Sequence, residues 1–236
     1  MKYSSKNILV GLTGRTPRQI ISKIKEVDEM NLSTVSLFFE IIEKSKRKSV
    51  YEALKESKIK EIPLVHIRED FGKDEIKFFK EKYNTKYFTI HENHFNVINN
   101  WKCYYKDLYL EMNTDNFVSK KVKINKIGGF CIDLSHFKVE EQKWSKEFLY
   151  ILKNKNKNIF LCNHLNGYSY KKNCDLHTVK NTSEFDYLLT LPKFIFGKII
   201  AIEMFNSVKD QINFKKYLIK ILNSPAKLDN PVKRDK

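Results

Sequence analysis

No two cysteines in this sequence are spaced as CxxC, and only four occur: Cys103, Cys131, Cys162 and Cys174. That argues against a zinc ribbon and a thioredoxin-like redox motif. Cys131 and Cys162 fall inside apolar runs, where a thiol behaves as a small core residue. Cys174, beside Asp175, is expected in a loop and is the one thiol with any functional claim. Long hydrophobic runs are also missing: none approaches the roughly 20 residues of a membrane span. The opening stretch MKYSSKNILVGLTG has neither a long apolar segment nor a small-residue cleavage site. The expectation is therefore a cytoplasmic chain with no membrane segment. The stretch GLTGRT (11–16) lacks the GxGxxG spacing of a dinucleotide-binding turn. Acidic residues are scarce beside basic ones, 28 against 44, for a formal charge of +16. Such an excess raises nucleic acid or an anionic substrate as a partner. The lysines are spread along the chain, however, and stretches such as KNKNKNIF point equally to compositional bias.

What is present is an alternation of short apolar runs with longer amphipathic ones. NILVGL (7–12), TVSLFF (34–39), IPLVHI (62–67), KYFTI (86–90), LYLEM (108–112), GFCID (129–133), NIFLCN (158–163) and KIIAIEM (198–204) read as strands. They are nearly continuous in apolar residues, as strands covered on both faces are. TPRQIISKIKEVDEM places Ile20, Ile21, Ile24 and Val27 on one helical face, with Pro17 near its start. DEIKFFKEKY, EEQKWSKEFLYILK and FKKYLIKIL (214–222) read as further helices, the second carrying Trp144 onto the barrel wall. SKRKS (45–49) reads as a helix start with exposed charge. Eight βα units in 236 residues come close to the roughly 250 residues of a (β/α)8 barrel. An open doubly wound sheet is the competing fold. The expectation is one α/β domain, a single (β/α)8 barrel over 1–224, followed by a basic, frayed tail over 225–236.

In such a barrel the chemistry comes from the C-terminal strand ends. Those positions hold Glu40, His66, Arg68, His91, Glu92, His94, Glu111, Asp133, His136, His164, Asp175, His177 and Glu203. All six histidines of the chain are in that set. Any one of them reads most simply as a rim or core histidine. Together with the carboxylates they form the donor set of a divalent cation such as Zn²⁺ or Mn²⁺, with Mg²⁺ or Co²⁺ as alternatives. Without a cation, so many carboxylates at one mouth would repel one another.

Glu111 in YLEMN, Asp133 and His136 in CIDLSHF, His164 in NHLNG, Asp175 and His177 in CDLHT, and Glu203 in AIEMFN form an ordered series. This series resembles the metal-site motifs of the xylose isomerase-like TIM barrels. That superfamily includes sugar isomerases and epimerases and the endonuclease IV type of apurinic-site nuclease (AP endonuclease family 2). The resemblance covers the C-terminal half in order and spacing, and the first half in architecture plus His91.

It implies two chemistries. In the first, an isomerase or epimerase of a sugar or sugar phosphate, Glu111, Asp133, His164 and Glu203 hold one metal ion. Glu111 and Glu203 then act as the acid/base pair on either side of the substrate carbon, and His136 binds a substrate oxygen. His66, Arg68 and Lys171 are candidate substrate-binding groups. Related epimerases carry an arginine where this chain has Lys171 and Lys172. In the second, an endonuclease IV-like phosphodiesterase, His91, His136, Asp175 and His177 supply ligands for further zinc ions, with His66 a looser candidate. The basic charge then assists phosphate binding, so nucleic acid becomes a partner. Short connections after several strands favour a small substrate, whereas the additional ligands favour hydrolysis. The first chemistry leads by a narrow margin. A binding protein without activity is a third, weaker reading. Sequence fixes neither substrate nor oligomeric state.

Overall fold

A computed structural model describes residues 2–112, 124–157 and 159–224. The chain opens with β1 (Ile8–Leu9) and β2 (Gly11–Leu12), followed by α1 (Pro17–Glu29), β3 (Ser36–Phe38), α2 (Lys48–Glu56) and β4 (Leu64–His66). Next come α3 (Lys73–Tyr83), β5 (Tyr87–His91), β6 (Leu108–Met112), β7 (Gly129–Asp133), α4 (Leu134–Lys143) and α5 (Lys146–Lys153). The described chain ends with β8 (Phe160–Leu165), the hairpin β9 (Gly167–Ser169) and β10 (Cys174–Leu176), β11 (Ile199–Ile202) and α6 (Val208–Leu222). Nine parallel segments pair in the order β1-β11-β8-β7-β6-β5-β4-β3-β2. Only Val10 separates β1 from β2, so the first strand supplies both edges of that order and the sheet nearly closes into a barrel.

The closure depends on two residues. A Cβ on Gly11 would lie 1.7 Å from the carbonyl oxygen of Ile202, so only glycine allows β11 this near. The break in the ladder also leaves Gly11 without a strand partner for its peptide groups on that side. Gln211, fully buried on α6, replaces the missing strand: Gly11 N donates to its Oε1 (2.7 Å), and its Nε2 donates to Gly11 O (3.1 Å).

The helices close where capping chemistry directs. Thr16 accepts a hydrogen bond from Gln19 N ahead of Pro17, a side-chain cap with proline at the first helical position. Asp133 does the same for α4, and Ser207 for α6. Arg47, within SKRKS, is fully buried, contrary to the exposed charge expected there. Its guanidinium lies over Phe71, donates to Ile42 O and pairs with Asp70 and Glu75. Burying a charge is tolerable when it is matched this completely. EEQKWSKEFLYILK is two helices, because Trp144 takes a left-handed conformation (φ 52°) and ends α4. Ser145 then caps α5. Trp144 is 69% exposed and meets the core only edge-on at Phe148, so it does not cover the barrel wall as expected. The last helix begins at Val208, six residues ahead of the expected 214. Cys174 lies in β10, not in a loop, and Cys131 and Cys162 are buried as expected. The tail 225–236 lies outside the described residues. No helix among the described residues is long and apolar enough to cross a membrane.

Candidate metal centre

The interior of the barrel sets the positions of the functional groups. Leu9, Phe38, Leu64, Tyr109, Cys131, Cys162 and Ala201 form a separate buried cluster, with Tyr87 packed against it. Side chains on a strand alternate in direction, so the residue two further on returns to the same face. Counting two from Phe38, Leu64, Tyr109, Cys131, Cys162 and Ala201 gives Glu40, His66, Glu111, Asp133, His164 and Glu203. Counting from Tyr87 gives Thr89 and then His91. An apolar floor is thus followed, one step nearer the C-terminal end, by a polar layer.

The polar layer converges. Ligand atoms of Glu111, Asp133, His164 and Glu203 lie within 4.8 Å of one another, and all four residues are buried. Two further groups satisfy the same limit: His66 with Glu111 and His164, and Glu40 with His66 and His91. His164 Nδ1 is 3.2 Å from Glu111 Oε1 and 3.2 Å from Glu203 Oε2. The other oxygen of Glu111, Oε2, is 3.2 Å from His91 Nε2 and 3.4 Å from His66 Nδ1. One carboxylate therefore faces one histidine with one oxygen and two histidines with the other.

The second layer of contacts fixes these groups. His164 Nε2 and Thr89 Oγ1 are 3.1 Å apart, which leaves Nδ1 aimed at the carboxylates. Asp133 Oδ1 accepts from Ser135 N (2.9 Å), Ser135 Oγ (2.7 Å) and His136 N (2.9 Å), so the cap of α4 holds the carboxylate still. Asn166 Nδ2 donates to Asp133 Oδ2 at 2.9 Å. Thr89 and Asn166 are not among the candidates read from sequence, and Glu40 is there only as a strand-end carboxylate without a role of its own. For Thr89 and Glu40 the available signal was the two-residue alternation along Tyr87–Thr89–His91 and Phe38–Glu40.

The charge states follow from this crowding. Burial would raise the pKa of Glu111, but His164, His91 and His66 hold it well below the usual carboxylate range. Burial opposes the charge on His91, yet Glu111, Glu40 and Glu203 outweigh it and push His91 up to about 9. Burial dominates at His66 and lowers its pKa well below the ordinary value, so this imidazole is neutral. Burial and repulsion from Glu203 lift Glu40 to about 7.

These residues fit a divalent cation. Both nitrogens of the buried His66 lack a hydrogen-bond partner, while Glu111 Oε2 and His164 Nδ1 meet oppositely charged groups at 3.2 Å. Orphaned buried polar atoms are costly and call for an explanation. Ligands about 2.1 Å from one zinc ion stand about 3.4 Å apart on a tetrahedron. The approaches of 3.2 to 3.4 Å around Glu111 are of that size. Imidazole and carboxylate are the donors such ions take.

The remaining expected residues are placed more loosely. His177 Nε2 is 3.1 Å from Asp175 Oδ2, and His177 Nδ1 is 3.3 Å from Glu203 O. Burial opposes the charge on His177, but the Asp175 hydrogen bond and the nearby carboxylates push its pKa up to about 9. His136 Nδ1 is 3.9 Å from Asp133 Oδ2. His136, Asp175 and His177 border the centre but do not themselves close into a group within 4.8 Å. Arg68 is engaged by Glu69 (2.9 Å) and Asp70 (3.7 Å). Lys171 is exposed in the turn between β9 and β10, beside Tyr170, which is 59% exposed. The chain matches no model of a known protein family and no curated protein.

Proposed function

We propose that this chain is a (β/α)8 barrel of the xylose isomerase-like kind and a multinuclear metal-dependent phosphodiesterase, similar in chemistry to the endonuclease IV type. The observation that carries this reading is the two-sided Glu111. Its Oε1 faces His164, while its Oε2 faces His66 and His91. A carboxylate disposed in this way suits a bridge between two cations. One would be held by Glu111, Asp133, His164 and Glu203, the other by Glu111, His66 and His91. A single-ion isomerase has a part for His66 only as a substrate-binding group and none for His91. It also needs Glu111 and Glu203 free to move protons, which a bridging Glu111 is not. Bound ions would supply Lewis-acid polarisation of a phosphoryl oxygen and lower the pKa of water.

The protein's own residues do the rest. Thr89 and the α4 cap keep His164 and Asp133 in place. The apolar floor excludes water from below. Asp175 and His177 line the rim, where a substrate oxygen or leaving group would arrive. Exposed Lys171 and Lys172 offer positive charge for a phosphate at the same mouth.

The isomerase reading keeps one specific support. Only Thr13–Thr16 separate β2 from α1, and α4 follows β7 without a connection. These short loops suit a small substrate better than bent DNA. The test is cleavage of a phosphodiester panel (a duplex with one abasic site, an intact duplex and a simple aryl phosphodiester) by zinc-loaded protein. Cleavage that chelation abolishes and Glu111→Gln lowers by at least about 100-fold, as loss of a transition-state electrostatic group does, supports the proposal. No cleavage of any member, with interconversion of an aldose and a ketose instead, overturns it.

A further inference from the structure

Glu40 is the one member of the three clusters that neither chemistry above uses. It lies two residues beyond Phe38, on the lumen face, and reaches the mouth from the opposite side of the barrel to Asp133. Its Oε1 is 3.7 Å from His91 Nε2. Its carboxylate, His66 and His91 each present a ligand atom within 4.8 Å of the others. Glu40 has no hydrogen bond to any described residue, although its neighbours include Glu111, Glu203 and His177 as well as His91. At the centre of the trio is His66, 1% exposed, with both ring nitrogens unpartnered.

We propose that Glu40 is a fourth protein ligand of the cation held by His66, His91 and Glu111. The inference rests on the two-ion reading of Glu111. It adds that Glu40 joins the ion on the His66 side: Glu40, His66 and His91 already stand within 4.8 Å of one another, and Glu111 Oε2 approaches both imidazoles. Four protein ligands hold a zinc ion tightly, and water or a substrate oxygen would join as a fifth, an expansion that zinc allows. With Glu40 the ion on the His66 side has as many protein ligands as the ion held by Glu111, Asp133, His164 and Glu203. The residue that completes the His66 side comes from the β3 end, in the half of the chain where the motif series is thinnest. The simpler alternative is that Glu40 only pairs with a protonated His91; in that case removing it leaves the metal content unchanged.

The experiment is zinc titration of the purified full chain against a chromophoric chelator, with Zn²⁺ alone as probe. Wild type is compared with Glu40→Gln, Glu40→Ala and, as a surface control, Glu43→Gln. Wild type is expected to hold at least two ions. Both Glu40 variants should lose at least about tenfold in affinity for one ion, the low end of what disturbing a ligand shell costs, and leave the other unchanged. Circular dichroism confirms the fold, and cobalt substitution gives an independent signal, since one of two visible absorption bands should change. Two ions in wild type and the same two affinities in both Glu40 variants overturn the role of Glu40 but leave the two-ion centre standing. A single ion in wild type overturns both.

Discussion

Stripped of metal, the protein should become less stable as the pH rises from 6.5 to 8, and adding zinc should reverse that slope. The reasoning starts at His91, whose pKa is pushed up to about 9 from an ordinary 6.5. A base whose folded pKa exceeds its unfolded one contributes stability that is complete below the unfolded value. That stability is lost as the pH climbs towards the folded value. Between pH 6.5 and 8 the folded state keeps the His91 proton while the unfolded chain sheds it. At 1.36 kcal/mol per pKa unit, His91 alone removes about 1.5 kcal/mol across that window. His177 and His164, both raised, act in the same direction. His66, lowered well below 6.5, is neutral in the fold throughout the window and restores little. Above pH 8 the buried Lys23, lowered to about 8, begins to act the other way, which sets the upper limit. Zinc requires neutral imidazole, so binding expels these protons and strengthens with pH. Urea unfolding at intervals of half a pH unit, in chelator and in excess zinc, measures both slopes. A flat or rising curve in chelator would refute the assigned charge states. A slope undiminished in His91→Gln would show that other groups cause all of it.

Gln211→Ala strands both peptide groups of Gly11 at the barrel seam, and buried unpaired groups cost about 1–3 kcal/mol each; the urea midpoint should fall while activity per folded molecule is kept. Asp133→Asn retains a cap oxygen for α4 and should lose metal with little loss of stability, whereas Asp133→Ala also removes the cap and should cost about 1 kcal/mol or more in chelator. Arg47→Ala leaves the mostly buried Glu75 without its cation and Asp70 with Arg68 alone, and should destabilise by about 3 kcal/mol, with no change in metal count.

Much of the barrel could be read from the chain because its strands are buried on both faces. LYLEM and GFCID coincide with β6 and β7 for that reason. Strand ends alone placed Glu111, Asp133, His164 and Glu203 among thirteen residues at one mouth, since the strands of a parallel barrel all end there; the family resemblance singled out those four. What was hidden depended on single backbone torsions and distant partners. Nothing local announces that Trp144 turns left-handed, so one amphipathic run looked like one helix. The burial of Arg47 depends on Asp70 and Glu75, more than 20 residues away. The β9–β10 hairpin hid because its strands are three residues each. Glu40 was visible as a strand-end carboxylate, but its role was not, because the motif series holds no residue from that strand.

The most direct measurement is X-ray diffraction from zinc-grown crystals on both sides of the zinc absorption edge. The account predicts at least two anomalous peaks, one on each side of the Glu111 carboxylate, with His164 bound to one and His66 and His91 to the other. A single peak that leaves His66 and His91 unbound, or none within reach of Glu111, would contradict it.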